Sequence, residues 1–154
     1  MKEMISLIYM SQAVKPMSVQ ELTRIITYSR THNESKDITG VLLYLNDKFF
    51  QILEGDSVEV TGLYSRIQQD KRHHSVTLLL SDTVDERIFN NWSMGFVDKT
   101  DINNISGENA WSTEDLMEHL NDRGKWNPAY EFLKIFYRTN VTDIGESTSG
   151  SYTD

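Results

Sequence analysis

The chain has 154 residues, 38% apolar and 25% charged, with a net charge of −8 and no cysteine. That size supports one domain with a short appendage, and the missing cysteines exclude disulfides, thiol nucleophiles and thiolate metal sites together. Residues 1–100 hold 11 basic and 13 acidic side chains, whereas residues 101–154 hold 4 and 10; the acidic balance disfavours nucleic-acid partners, and its step predicts an organisational boundary near residue 100.

Residues 5–10 are apolar or β-branched and predict a strand. Ser18-Val19-Gln20-Glu21 is a capping box just after Pro16. Val19, Leu22, Ile25, Ile26 and Ser29 follow at helical spacing, predicting a helix to about Thr31. Residues 38–45 and 48–53 predict two strands around Asn46-Asp47, a hairpin turn signal. Asp56 is placed to cap a second helix with Val60, Leu63, Tyr64 and Ile67 as its apolar stripe. Residues 76–81 predict a fourth strand and residues 92–97 a fifth.

This order is that of an α+β, ferredoxin-like split βαβ fold with a five-stranded mixed sheet. Right-handed crossovers put the first and third strands side by side in mid-sheet, with both helices on one face. Beyond residue 100 the chain changes. Residues 101–110 read as a loop. One helix is expected from residues 112–115 onward, carrying Leu116, Met117 and Leu120; another starts at Asn127-Pro128, carrying Tyr130, Leu133, Phe136 and Tyr137. The Ser/Thr/Gly/Asp-rich residues 141–154 read as a disordered tail. The expected division is a domain over 1–100, a helical cap over 101–140 and a tail over 141–154. The longest apolar runs, residues 41–45 and 78–80, are too short to span a bilayer, and no leader pattern opens the chain. A cytoplasmic protein without membrane association is expected.

Several polar residues stand out against this pattern. Tyr9 shares a strand face with Ile5 and Leu7, and Gln51 shares one with Phe49 and Leu53. Neighbouring strands would let phenol and amide meet, as a structural pair or as something more; a side chain turned to solvent is the other reading. His32-Asn33 falls where the first helix is expected to stop, so Asn33 reads as a terminator, with an amide that also suits an imide edge. Asp70-Lys71-Arg72-His73-His74 falls at the end of the second helix and reads as a basic C-terminus against the helix dipole. There is no metal-ligand spacing, and no nucleophile-elbow or phosphate-loop motif.

Taken together, residues 1–100 resemble the BLUF family of flavin-binding blue-light sensors. The resemblance is carried by Leu7-Ile8-Tyr9, His32-Asn33, Ile38-Thr39-Gly40-Val41-Leu42 and Phe49-Phe50-Gln51-Ile52-Leu53-Glu54-Gly55. It continues through the Asp70 to His74 run and Asn91-Trp92-Ser93-Met94. It implies a bound flavin, FAD in the family, although a pocket for the ring alone would equally take FMN or riboflavin. Tyr9 would be the electron and proton donor, and Gln51 the amide bridging it to the flavin. Asn33 would grip the imide, and Ile25 and Ile67 would clamp the ring. Ser29, His32, Phe49, Asp70, Arg72 and His73 would complete the lining, with Arg66 at the phosphate. Trp92 and Met94 would sense the change at Gln51, which either rotation or tautomerisation of the amide would produce.

The resemblance thus implies a non-enzymatic photoreceptor, self-associating and signalling in trans to a separate effector protein. Trp111, Trp126 and Tyr130 are the expected exposed aromatics of such an interface. A small flavin-dependent or acylphosphatase-like enzyme is the alternative on this fold, and a cofactor-free oligomerisation module a third reading.

Overall fold

A computed structural model describes residues 3–90, 95–98, 113–121 and 128–142. Its elements are β1 (Met4–Ala13), α1 (Val19–Ser35), β2 (Thr39–Leu45), β3 (Lys48–Asp56), α2 (Ser57–Gln68), β4 (His73–Thr83), β5 (Gly95–Asp98), α3 (Thr113–Asn121), α4 (Pro128–Tyr137) and a π-helical turn (Arg138–Thr142). The protein is α+β. Strands β4, β1, β3 and β2 form an antiparallel sheet in that order, and the short β5 joins the β2 edge in parallel. The first and third strands are therefore neighbours in mid-sheet, as the connection rules predict.

Local chemistry sets the element ends. Ser18 accepts a hydrogen bond from Glu21 N and Glu21 returns one to Ser18 N, so the expected capping box starts α1. Asp56 caps α2 by accepting from Glu59 N at 3.3 Å. Asn46 and Asp47 both take positive φ, the backbone a tight hairpin needs. Gly40 lies where β3 leaves no room for a side chain on β2: a Cβ there would stand 1.9 Å from the Ile52 carbonyl oxygen.

Two expected boundaries are corrected. Helix α1 does not stop at Thr31 but runs to Ser35, capped at Lys36, and the left-handed residue after it is Asp37 at φ 56°. Asn33 is thus inside the last turn rather than a terminator. The second correction concerns residues 70–74, which do not form a helix C-terminus. Backbone bonds from Gln69 and Asp70 to Arg66 and Ile67 close α2, Asp70 accepts from Arg72 N across a turn, and His73 and His74 open β4.

The pleat divides the apolar residues between two cores. Ile5, Leu7, Tyr9, Leu42, Tyr44, Phe49 and Leu53 face α1 and α2, meeting Leu22, Ile26, Val60 and Tyr64. Ile8, Val41, Leu43, Phe50 and Ile52 face the other way, meeting Leu116 and Leu120 of α3 and Leu133 and Phe136 of α4. The C-terminal helices therefore cover the second sheet face. Tyr130, expected to be exposed, is half-buried there; Trp111 and Trp126 lie outside the described residues, as do Trp92, Met94, the 101–110 loop and residues 143–154. Among the described residues no helix is long and apolar enough to cross a membrane.

A buried carboxylate pins the segment after β4. Glu54 is fully buried and accepts from Ile88 N at 3.0 Å and Phe89 N at 2.9 Å. Arg87 donates to Thr39 Oγ1 and to the Glu54 and Asp37 carbonyls, and His119 of α3 donates from Nε2 to Ile88 O at 2.9 Å. The apolar surroundings of Glu54 and its paired main-chain donors exist only in the fold. Glu54→Gln keeps one acceptor oxygen for the Ile88 and Phe89 N–H groups but replaces the other, which also accepts from Ile88 N, with an NH2 donor. It should lower stability by about 1–3 kcal/mol in urea denaturation of the full chain.

Candidate functional site

The register of β1 against β3 places Tyr9 directly opposite Gln51. Both side chains point to the α1/α2 face, and both residues are buried. The Tyr9 hydroxyl donates to Gln51 Oε1 at 2.5 Å. Burial, reinforced by Tyr64 and Asp70, pushes the Tyr9 phenol well above its ordinary range, so it keeps its proton. Strand β4 is bulged on either side of this point: its register slips between Ile8 and Tyr9 and again between Met10 and Gln12. Such bulges re-aim side chains beside functional sites.

Above this pair lies a cavity of about 520 Å³ between α1 and α2. Its floor is Tyr9, Gln51, Leu42 and Phe49 from the sheet. Its α1 wall is Ile25, Ser29 and Asn33, spaced at i, i+4 and i+8 so that they share a face. Its α2 wall is Leu63 and Ile67. Asn33 is 1% exposed, unusual for an amide inside an amphipathic helix. Its carbonyl accepts from Lys36 N and Ile38 N, so the main chain turns away while the side chain lines the cavity.

The remaining expected residues lie at the same cavity. His73 is held at both ring nitrogens. Nε2–H donates to the Ile67 carbonyl at 2.6 Å, which leaves Nδ1 to accept from Ser11 Oγ at 2.7 Å. Its ring meets Tyr9 and Phe49 edge-on, at 6.4 and 6.3 Å between centroids. Asp70 takes a forked contact from the Arg72 guanidinium, which holds its carboxyl below the usual carboxylate range. Arg66 and His32 sit at the mouth, where Arg66 Nη2 donates to His32 Nε2 at 2.9 Å. Sequence reading missed four lining residues: Arg24, Tyr28, Leu42 and Leu63. Leu63 and Leu42 read as ordinary core. For Arg24 and Tyr28 the usable signal in the sequence was their i, i+4, i+8 spacing with His32.

The cavity suits a flat heteroaromatic ring with one polar edge. Aliphatic side chains from facing helices bound two sides, and the Asn33 and Gln51 amides offer both donors and acceptors to an edge carrying carbonyls and an N–H. The guanidinium groups of Arg24, Arg66 and Arg72 gather at its rim, although the whole chain is acidic. That charge placement suits a phosphate-bearing tail. A flavin nucleotide meets each requirement. Among the described residues no cluster of three or more His, Asp or Glu could hold a metal ion.

Comparison with known proteins gives the same answer. The family model described as sensors of blue-light using FAD matches residues 4–95. The photoactivated adenylate cyclase subunit alpha of Euglena gracilis is 44% identical over 87 residues, which are 56% of this chain and 8% of that protein. The blue light- and temperature-regulated antirepressor BluF of Escherichia coli is 29% identical over 146 residues, 93% of this chain and 34% of the relative. This chain thus spans a small part of the cyclase and about a third of the antirepressor. A solved structure of BlsA in its photo-activated state superposes with a TM-score of 0.62 at 33% identity, covering 80% of this chain and 98% of that one. The family match covers more than half of the chain and contains the entire cavity, and the chain belongs to the BLUF family of flavin-binding blue-light sensors.

Proposed function

We propose that this chain senses blue light by rearranging the hydrogen bond between Tyr9 and Gln51. The observation that carries the reading is that bond itself: a buried phenol, 2.5 Å from a buried amide oxygen, on the floor of a cavity that fits a flavin. Bound flavin supplies blue-light absorption and, once excited, a strong oxidant. Tyr9 is the electron donor, and its proton has one direct acceptor, Gln51 Oε1. Electron and proton both return, so no group is consumed. Gln51 is left with its amide donor and acceptor exchanged, by rotation or by tautomerisation.

Each remaining residue has a binding part in this reading. Asn33 holds the imide edge and Ile25 and Ile67 clamp the ring. Ser29, Phe49 and His73 close the lining, and His32, Arg66, Asp70 and Arg72 form the rim. The split βαβ frame carries the change outward. Gln51 is paired with Leu42, and Leu42 with Phe96 of β5, so one row of backbone links the switch to the fifth, parallel strand. Trp92 and Met94, just before that strand, are the proposed readers. Output runs through the segment after residue 100 to an effector protein in trans, in a non-enzymatic and self-associating cytoplasmic protein. The antirepressor named among the relatives favours a protein effector over nucleic acid, as does the acidic balance of residues 101–154.

The direct test is the absorption spectrum of the flavin-loaded chain before, during and after blue light. A red shift that reverses in darkness without net flavin reduction is expected; accumulating reduced flavin with no shift would overturn the reading.

Three variants separate the roles. Tyr9→Phe should bind flavin and fold, since ring volume is kept, yet give no red-shifted state. In Gln51→Leu the buried Tyr9 hydroxyl loses its acceptor. Stability should drop by about 1–3 kcal/mol in denaturant titration, and the light-induced shift should vanish while flavin remains bound. For Asn33→Ala, equilibrium dialysis should record flavin binding weakened by roughly 1–3 kcal/mol, from one or two lost imide bonds.

A further inference from the structure

The rim of the cavity carries a second, exposed stripe of α1. Ile25, Ser29 and Asn33 face inward; Arg24, Tyr28 and His32 form the neighbouring stripe at the same four-residue spacing and also line the cavity. Tyr28 is 68% exposed, a large aromatic surface left in solvent on a helix that buries Leu22 and Ile26. Its ring nonetheless has a fixed partner: it stacks on His32 with centroids 5.7 Å apart and planes 11° from parallel. His32 is fixed in turn. A guanidinium can only donate, so Arg66 fixes His32 Nε2 as an acceptor, at 2.9 Å, and thereby sets the plane of the imidazole. A chain of contacts from α2 thus holds a tyrosine ring flat at the cavity mouth, with its other face open. Arg24 on α1 and Arg66 on α2 flank the same mouth.

We infer that Tyr28 is a stacking shelf for the adenine end of a flavin dinucleotide, making this chain selective for FAD over flavins that lack the adenylate. This rests on the reading of the cavity as the flavin site. A purine base is a planar π-system that stacks on tyrosine with little further demand on geometry. The diphosphate between ring and base needs cations, which Arg24 and Arg66 supply on either side; Glu21, near Arg24, offsets part of that charge. His32 and Arg66 are positioning residues for the shelf. Riboflavin has neither base nor phosphates and gains nothing from any of the four.

The test is titration of the flavin-free full chain with FAD and with riboflavin, followed by quenching of flavin fluorescence, in the wild type, Tyr28→Ala and Tyr28→Phe. Tyr28 is exposed, so both variants should fold. Tyr28→Ala should weaken FAD about tenfold and leave riboflavin unchanged, while Tyr28→Phe keeps the wild-type preference. Undiminished FAD affinity in Tyr28→Ala, or an equal loss for riboflavin, would overturn the shelf. Failure of the wild type to bind riboflavin at all would instead overturn the underlying cavity assignment.

Discussion

One cross-strand register governs the rest of the structure. Tyr9 and Gln51 face each other because β1 and β3 are antiparallel neighbours in a single alignment, Tyr9 to Gln51, with Leu7 to Leu53 and Ser11 to Phe49 on either side. A slip of one residue would turn the phenol to the α3/α4 face and put an apolar side chain in its place. The register is fixed by the two cores, since each strand carries apolar residues for both sheet faces. The site thus draws its precision from packing that has no direct part in it.

The electrostatic design follows from that burial. The interior of the cavity holds a phenol kept protonated by burial, two amides and a histidine bonded at both nitrogens. Formal charge is kept to the rim, where Asp70 is tied to Arg72 while Arg24 and Arg66 flank the opening. The hydrogen-bond partner of the Tyr9 hydroxyl is the Gln51 amide oxygen, while His73 is engaged by Ser11 and Ile67 and Asp70 by Arg72. In a net-acidic protein the cations gathered at this rim are what the proposed reading assigns to the anionic tail of a flavin nucleotide.

Sequence made parts of this legible for definite reasons. Two-residue periodicity exposed Tyr9 and Gln51 as polar intruders, and the connection rules made their strands neighbours. The capping box and hairpin turn are local chemistry, and they appear where expected. What stayed hidden depended on tertiary contact. The extra turn of α1 hangs on a left-handed Asp37, a residue with no glycine to announce it. Glu54 acquires its role only when residues 88 and 89 fold back onto β3. Arg24 and Tyr28 stay exposed in the fold, and only the position of α2 across from them makes them part of the cavity mouth.

The central claim is that light alters the hydrogen bond between Tyr9 and Gln51. A short, buried O–H···O bond slows exchange of its proton and moves that proton's magnetic resonance far downfield. The decisive measurement is the downfield proton spectrum of the flavin-loaded chain in darkness and under steady blue light, with Tyr9→Phe supplying the assignment. The account predicts one resonance, absent from Tyr9→Phe, that shifts or disappears on illumination and returns in the dark along with the flavin absorption. The same resonance, unmoved while the flavin spectrum shifts, would contradict it.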